Sequence, residues 1–439
     1  MKKTIFVVIL FLSAWLVLFP SSTLASQSVC QASSMATAKD CFNKLNNGSV
    51  NAVEVTTPIA CSGENACAFS LNNINRPVLI YGTPNTNAGF TITDSNNYSI
   101  LTVNNSSQVT ISNLILNDTS GIHCEFWYGY FNPCYAPPMV FSGGANNVID
   151  GITIENSRYQ ALEISEGNNL TIKNSKFLNN SWFGIAIDNV ENNHVNPPVA
   201  LHIENNLFQD NSTSAIGGPL SGTADNPSTI KNNVFINNHR QAIFAVCGPN
   251  NLSPCGGGQL FIDWYTQNLV IANNTIKDGS LDVSTAGIEL TAYLSDLTIE
   301  NNDIHHNTGA GIILNGGIAP PPCTTTCNID INILNNMVYG NAANLVGTTG
   351  TNTSGNCETA GCNPNAGVIP TPTPTQPSCS LRSQGDADCD GKVDMIDYYY
   401  LVQALNGGKT PPSVNLDFNG DGEIGLSDRA IIVKTLHPG

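Results

Sequence analysis

Short segments of similar sequence recur through the middle of this 439-residue chain, from about residue 107 to residue 341. In each segment, apolar and polar residues alternate, an Asn-rich turn follows, and a second apolar stretch begins at Gly or Ala. Alternation with a period of two predicts β-strands. Because one such unit cannot bury its apolar face alone, we expect the units to stack as the coils of a solenoid. The clearest copies are residues 170–187, 201–218, 228–245 and 297–314.

Two kinds of spacing describe the repeat. Within a copy, two apolar positions lie eight residues apart, which predicts a fixed corner between two strands: Ile154 and Leu162, Phe177 and Ile185, Phe208 and Ile216, Phe235 and Ile243, and Ile304 and Ile312. Between copies, the spacing varies as 38, 23, 31, 27, 41, 28 and 34 residues along the anchors Ile111, Ile149, Ile172, Ile203, Ile230, Ile271, Ile299 and Ile333. The shortest spacing predicts one turn of a coil, and the longer ones predict insertions on that coil.

These repeats resemble the right-handed parallel β-helix family, which includes pectate lyases and polygalacturonases. The resemblance implies an all-β solenoid over residues 27–360. The Asn residues suit it, because Asn tolerates left-handed backbone at corners and stacked Asn amides can hydrogen-bond as a ladder. Upstream, the sequence predicts a helix over residues 33–45 and strands over residues 53–55 and 77–81. A helix there would form an N-terminal cap over the open end of the coil.

The N-terminal residues predict export. Lys2 and Lys3 precede an apolar run over residues 5–19 and small residues through Ala25, which is typical of a signal peptide over residues 1–26. A retained membrane anchor is the alternative, but the run is short for that. We expect no stable membrane span after signal removal, and a secreted protein, extracellular or attached to the cell surface. Further on, alternating Pro and Thr predict a stiff linker over residues 361–378.

Charge and cysteine content indicate which partners and which cellular compartment are compatible with this chain. The 16 basic and 33 acidic residues give a net charge of −17, which argues against nucleic acid as a partner. The 14 cysteines favour an oxidising compartment. Their spacing is unlike that of zinc knuckles, and we expect sequential disulfides, although sequence alone leaves the connectivity open. The seven pairs are Cys30–Cys41, Cys61–Cys67, Cys124–Cys134, Cys247–Cys255, Cys323–Cys327, Cys357–Cys362 and Cys379–Cys389.

Two similar acidic stretches lie near the C-terminus, DADCDGKVDMID at residues 386–397 and DFNGDGEIGLSD at residues 417–428. Each precedes an apolar helical pattern. Oxygen side chains at positions 1, 3 and 5, Gly at 6, a backbone carbonyl at 7 and a carboxylate at 12 are typical of an EF-hand-like Ca²⁺ loop. The expected ligands are Asp386, Asp388, Asp390, Lys392, Asp394 and Asp397, and then Asp417, Asn419, Asp421, Glu423 and Asp428, with Lys392 and Glu423 acting through their carbonyls. Gly425 at position 9 predicts a weaker second site.

Paired loops with Asp at position 12, each followed by one helix, resemble the type I dockerin family. The resemblance implies a small α-helical module with two EF-hand-like loops over residues 379–439, with Ca²⁺ as cofactor and a cohesin-like scaffold domain as partner. In that family, contact residues at positions 10 and 11 are often Ser-Thr-like. Here they are Met395–Ile396 and Leu426–Ser427, which leaves the identity of the partner open.

The coil region lacks the polygalacturonase motifs Asn-Thr-Asp, Asp-Asp, Gly-His-Gly and Arg-Ile-Lys, and its few basic residues suit polyuronate poorly. Trp127, Trp182 and Trp264, with Tyr265 beside the last, lie in predicted turns or insertions. Such rings can stack on sugars or pack loops onto the coil, and both interpretations stay open. His305 and His306 could be metal ligands, but they share a turn without a carboxylate pattern, which argues against a metal site there.

The fixed corner aligns two coils and suggests a candidate site. It places Tyr159 beside Trp182 at about 4.8 Å, and alternation points Glu163 and Asp188 outward at about 8 Å from each other. Carboxylates about 6.5–9.5 Å apart suit an inverting glycosidase, although two ordinary solvated acids would look the same. The sequence therefore predicts a docked protein that binds or degrades an extracellular polysaccharide, with a glycoside hydrolase favoured over a polysaccharide lyase. The alternative is a non-catalytic structural or adhesion protein of the cell surface.

Overall fold

A computed structural model describes residues 28–360, apart from 64–65, 85, 94–97, 121–135, 188–198, 239–259, 263–265, 280–285, 292–293, 316–328 and 349–350. Of the C-terminal region it describes residues 384–385, 387, 393, 401, 404, 416–419, 424, 428 and 431–432. The predicted signal peptide and Pro/Thr linker lie outside the described residues. No helix among those residues is long and apolar enough to cross a membrane.

The strands form three parallel sheets of 12, 10 and 10 strands, and each full coil contributes one strand to each sheet. Sheet A contains β1 (Val29–Ala32), β2 (Ala52–Val55), β5 (Asn75–Gly82), β8 (Ser107–Ser112), β11 (Ala145–Asp150), β14 (Asn168–Lys173), β17 (Val199–Glu204), β20 (Ser228–Lys231), β23 (Thr266–Ala272), β26 (Leu294–Glu300), β29 (Ile329–Leu334) and β32 (Asn352–Ser354). Sheet B contains β3 (Pro58–Cys61), β6 (Gly89–Ile92), β9 (Ile115–Asp118), β12 (Thr153–Glu155), β15 (Lys176–Leu178), β18 (Leu207–Gln209), β21 (Val234–Ile236), β24 (Thr275–Lys277), β27 (Asp303–His305) and β30 (Met337–Tyr339). Sheet C contains β4 (Phe69–Asn72), β7 (Leu101–Asn104), β10 (Met139–Ser142), β13 (Leu162–Ser165), β16 (Phe183–Ile187), β19 (Ser214–Gly217), β22 (Leu260–Ile262), β25 (Ala286–Thr291), β28 (Ala310–Asn315) and β31 (Ala343–Val346).

The anchor residues stack one above another in sheet A, as the repeat predicts. Each pairs with the next in register, from Ile111 through Ile149 and Ile172 to Ile333. All of these anchors are fully buried. In sheet B, Phe177, Phe208 and Phe235 form a stack with ring centroids 4.9 and 5.0 Å apart. The predicted parallel β-helix is confirmed, because inward-facing apolar residues at one position of each coil make a continuous core.

One of the predicted corners is wrong. The partner of Ile216 in sheet C is Leu260, which in turn pairs with Ile288, so Ile243 does not occupy that position. The segment around Ile243 is a short apolar run that could form a strand, but pairing with the coils above and below decides which residues join the sheet. An insertion therefore separates β21 from β22.

The two Asn residues of each corner have different roles. The first adopts left-handed backbone, as at Asn205 (φ 57°) and Asn232 (φ 57°). The second turns its amide inward and is almost fully buried, as at Asn206 and Asn233. Between sheets A and B the inward amides form a continuous A–B ladder of Ser175, Asn206, Asn233, Asn274, Asn302, Asn336 and Asn356. The predicted ladder is thus confirmed, and it satisfies buried polar groups at every turn of the coil.

A helix covers the N-terminal end of the coil. Helix α1 (Met35–Asn46) begins after Ser34, whose side chain accepts the backbone N–H of Thr37 while the Thr37 hydroxyl accepts from Ser34. Phe42 of this helix stacks on Phe69 of the sheet with centroids 4.3 Å apart. The predicted cap is confirmed, and it shields the open edge of the first coil.

Two of the seven predicted disulfides are present among the described residues, Cys30–Cys41 and Cys61–Cys67. The first ties β1 to α1. Cys357 is also disulfide-bonded, but its predicted partner Cys362 lies outside the described residues. The other predicted pairs, Cys124–Cys134, Cys247–Cys255, Cys323–Cys327 and Cys379–Cys389, lie there as well.

Candidate functional site

The variation in coil length identifies which face of the solenoid is specialised. From sheet A to sheet B the distance between inward residues is five residues in every coil from Ile111–Leu116 to Ile333–Val338. From sheet B to sheet C it ranges from seven residues, between Val338 and Leu345, to 25, between Phe235 and Leu260. From sheet C back to sheet A it varies as well. Sheet C therefore receives inserted residues along both of its edges, and functional side chains in solenoids collect on such a face.

Two aromatic side chains meet beside this sheet. Tyr159 and Trp182 lie at equivalent places in the corners that lead into β13 and β16, as the fixed spacing predicts. Their ring centroids are 5.0 Å apart and their planes are nearly perpendicular. Trp182 also lies along Phe183, with a centroid distance of 6.0 Å. All three are half-buried, so part of each ring faces the outside of the coil.

The outward face of β13 carries the predicted acid. Glu163 lies between the buried residues Leu162 and Ile164, and its Oε2 accepts a hydrogen bond from Nε2 of Gln160 at 2.7 Å. Glu163 pairs with Ala186 of the next coil, so Asp188 follows two positions further along that strand. Asp188 itself lies outside the described residues, as do Trp127, Trp264 and Tyr265. The catalytic and sugar-binding roles of all these residues stay predictions.

A buried ion pair holds the corner that carries Tyr159. The Nε and Nη2 atoms of Arg158 donate to the two carboxylate oxygens of Asp118 at 2.5 and 3.2 Å, and Nη2 also donates to Ser120 at 3.0 Å. Both charged side chains are almost fully buried. A two-point pair of this kind fixes orientation as well as position. Nothing in the sequence indicated it, because the partners are 40 residues apart across an insertion.

A second acidic side chain on sheet C was not predicted from the sequence. Glu289 lies in β25 between the inward residues Ile288 and Leu290, yet it is only 1% exposed. It occupies the same outward column as Glu163, four strands away, which is about 19 Å at the usual strand spacing. The signal was available in the repeat, since Leu-Glu-Ile at residues 162–164 aligns with Ile-Glu-Leu at residues 288–290.

On sheet A, a histidine joins a polar network. The hydroxyl of Thr229 donates to Glu204 Oε1 at 3.2 Å, so its oxygen accepts from Nδ1 of His202 at 3.0 Å. Burial, with a smaller contribution from Lys231, lowers the pKa of His202 below its usual value of 6.5, against the opposing effect of Glu204. His202 is therefore a neutral imidazole at neutral pH.

Acid should destabilise the coil through His202. Its folded pKa lies below 6.5, so as the pH falls below 6.5 the unfolded chain binds a proton that the folded chain resists, and stability is lost. The melting temperature should fall further between pH 7.5 and pH 5 in the wild type than in His202→Gln. His306→Gln, at an exposed position, serves as the control. An equal acid shift in the wild type and His202→Gln would contradict this assignment.

The described part of the C-terminal region forms a small core of its own. Ala387 and Phe418, at position 2 of the two acidic loops, pack with Leu401 and Ile432, at position 16 of the two repeats. Because equivalent positions meet, the two halves are related as in a paired EF-hand arrangement.

The second calcium loop is closed in a way that suits a metal. Asp428 is fully buried, and its Oδ1 accepts the backbone N–H groups of Phe418 and Asn419 at 2.8 and 3.3 Å. Positions 2, 3 and 12 therefore lie together, beside Asp417 at position 1. This all-oxygen set fits Ca²⁺. The other predicted ligands, Asp386, Asp388, Asp390, Lys392, Asp394, Asp397, Asp421 and Glu423, lie outside the described residues.

Two protein-family models match the chain, one in the predicted β-helix region and one in the predicted C-terminal module. The family model described as "Right handed beta helix region" matches residues 130–255, and the model of the type I dockerin domain matches residues 384–437. Curated protein sequences give no match.

Solved structures of similar fold include the A-module of mannuronan C-5 epimerase AlgE4 from Azotobacter vinelandii, at 16% identity and a TM-score of 0.45, covering 74% of this chain and 84% of that one. They also include PfbA, a surface adhesin of Streptococcus pneumoniae, at 13% identity and a TM-score of 0.45, covering 75% and 91%. The described coils thus form a parallel β-helix, residues 130–255 match the right-handed β-helix model, and residues 384–437 match the type I dockerin domain.

Proposed function

We propose that this protein is exported, docks through its dockerin domain to a cohesin-like domain on a scaffold, and holds an extracellular polysaccharide on the outer face of sheet C. The observation that carries the glycan site is the pair of Tyr159 and Trp182, which lies beside Glu163 at the edge of the one sheet that receives insertions on both sides. Docking would place this face near the polymer to which a scaffold is attached.

The chemistry of the face favours a sugar. Aromatic rings present flat apolar surfaces that match the C–H face of a pyranose, while Glu163, held by the buried Gln160, supplies a carboxylate for hydroxyls. The net charge of −17 disfavours an anionic polymer. The lysines of the described strands, Lys173, Lys176, Lys231 and Lys277, lie on sheets A and B and not on sheet C. A neutral glycan is therefore the proposed ligand.

Docking would depend on calcium. When bound, Ca²⁺ would neutralise the acidic side chains of each loop and hold the loop against its helix. Asp417, Asn419 and Asp428 are the described residues that would hold it in the second loop, where Asp428 already fixes the loop backbone through two N–H groups.

A second candidate function is hydrolysis of the bound glycan. The pairing of Glu163 with Ala186 supports it, together with the sequence prediction that Asp188, two residues beyond that partner, faces outward at roughly 8 Å from Glu163. Two carboxylates at such a distance can act as acid and base around a water in an inverting reaction. Glu163 would then be the described member of the pair.

Removing the indole should weaken glycan binding. In a screen of neutral polysaccharides by affinity electrophoresis or calorimetry, Trp182→Ala should bind the best ligand at least tenfold more weakly than wild type, since loss of one stacking face costs on the order of 1–2 kcal/mol. Tyr81→Ala, an aromatic change on sheet A, is the matched control and should have no effect.

The same screen separates the alternatives. If reducing ends appear, Glu163→Gln should abolish them while glycan binding remains, as hydrolysis by this acid requires. Binding without products, and unchanged by Glu163→Gln, would favour a non-catalytic adhesion or structural protein. If Trp182→Ala binds every ligand as the wild type does, sheet C is not the glycan-binding face.

A further inference from the structure

Two histidines face each other at a corner between sheet B and sheet C of the solenoid. His305 ends β27 and His306 follows it at the corner. Their Nδ1 atoms are joined by a hydrogen bond of 2.8 Å, and their rings are perpendicular. A metal would take the place of the proton that the two nitrogens share. We propose that His305 and His306 bind a divalent transition metal through these two Nδ1 atoms, with Cu²⁺ or Ni²⁺ preferred by the geometry to Zn²⁺.

The distance between the nitrogens sets the angle at the metal. Metal–imidazole bonds are about 2.0–2.1 Å. With nitrogens 2.8 Å apart, the two bonds would meet at about 85–90°. That is the angle between neighbouring ligands in a square-planar or octahedral centre, which Cu²⁺ and Ni²⁺ favour. A tetrahedral Zn²⁺ would need the nitrogens about 3.3 Å apart.

Neighbouring side chains orient the two rings for this purpose. The carboxylate of Asp303 lies behind His305, with Oδ2 at 3.8 Å from Nε2. A carboxylate near the far nitrogen of a histidine favours the tautomer that leaves the Nδ1 lone pair available, as in many metal sites. Tyr339 of the next coil stacks on His305, with centroids 5.1 Å apart, and meets the edge of His306 at 5.9 Å. The rings are thus held in place before any metal binds.

The identity of residue 306 departs from the repeat. Its φ of 57° is left-handed. The equivalent corner positions in the other coils are filled by Asn, Asp or Gly, the residues that tolerate this conformation best: Asn156, Asn179, Asp210, Asn237, Asp278 and Gly340. Histidine also tolerates this conformation, so the departure from the repeat lies in its side chain, which places a metal-ligating imidazole at the corner. The adjacent Gly340 leaves room beside its ring.

The site would be open to solvent. His306 is exposed, and Asp303 retains 36% of its side-chain exposure. Among the described residues, no group of three His, Cys, Asp or Glu side chains is placed to hold one ion. Water or an outside ligand would fill the remaining positions, so we expect weaker binding than at a structural site with four protein ligands.

Copper titration of the full-length, tag-free protein tests the proposal, with calcium present throughout. Calorimetry should show one Cu²⁺ site, and the electron paramagnetic resonance spectrum should be axial with two in-plane nitrogens. His306→Asn, which restores the common corner residue, should reduce affinity at least tenfold without lowering the melting temperature. His305→Gln is a second variant in case the first does not fold. Ni²⁺ should bind at least as tightly as Zn²⁺.

The control is His202→Gln, which removes a histidine on sheet A and should leave copper binding unchanged. Wild-type affinity in folded His306→Asn or His305→Gln would overturn the proposal. A spectrum with one nitrogen or none would overturn it as well, and tighter binding of Zn²⁺ than of Ni²⁺ would overturn the geometric preference.

Discussion

Replacing Asn233 with alanine should lower the free energy of unfolding of the β-helix by about 3–5 kcal/mol. Oδ1 of Asn233 accepts from the backbone N–H and from Nδ2 of Asn206, and Nδ2 of Asn233 donates to the carbonyl of Ile203 and to Asn274 Oδ1. Alanine removes all four hydrogen bonds from a site that is 1% exposed. The backbone N–H of Asn206 and the carbonyl of Ile203 would lose these partners inside the coil, and each such loss costs about 1–3 kcal/mol.

Urea denaturation followed by circular dichroism measures this effect, and Asn232→Gly is the matched control. Asn232 is the neighbouring Asn, exposed and left-handed, so glycine accepts its backbone conformation and should change stability by less than about 1 kcal/mol. Equal losses in the two variants would mean that the buried amides do not carry the stability of the corner.

Removal of calcium should unfold the dockerin domain and reduce cohesin binding at least a hundredfold. Residues 379–439 contain nine acidic and five basic side chains, a net charge of −4, around a small core. Without two divalent ions the carboxylates repel each other, and a domain of this size has little other stabilisation. Calorimetry should show about two ions per chain, and Asp386→Ala should abolish the stronger site.

The β-helix is an internal control for the chelation experiment. Hydrogen exchange in EDTA should accelerate in residues 384–437 while the buried amides of sheet A stay protected. Asp428→Ala should weaken only the second site, because its carboxylate lies over that loop. A dockerin region whose protection is the same with and without chelator would contradict calcium-dependent folding.

The coil itself could be predicted because the pattern of inward-facing apolar residues that specifies it is local and recurs in every repeat. Each anchor, from Ile111 to Ile333, specifies an inward position, and stacking follows from burial alone. Contacts between outward side chains could not be predicted in the same way. The pair of Asp118 and Arg158, and the approach of Asp303 to His305 and Tyr339, depend on how coils of different length stack.

The error at Ile243 has a related cause. A short apolar run marks a segment that can form a strand, but an insertion can contain such a run as well, and only the neighbouring strands decide between Ile243 and Leu260. The Tyr159–Trp182 pair was predictable because no insertion interrupts the corner between Ile154 and Ile185.

The A–B ladder also has a direction. Each amide from Asn206 to Asn336 donates to the amide of the next coil, and each amide from Asn233 to Asn356 accepts from the one before, so the amide dipoles align head to tail along the axis. Ser175 terminates the acceptor end, where its hydroxyl accepts the N–H of Ile152 and donates to the carbonyl of Lys173. Aligned dipoles polarise one another. The solenoid is therefore electrically polar inside, with the positive end of this column at Asn356, in the last described coil before the linker.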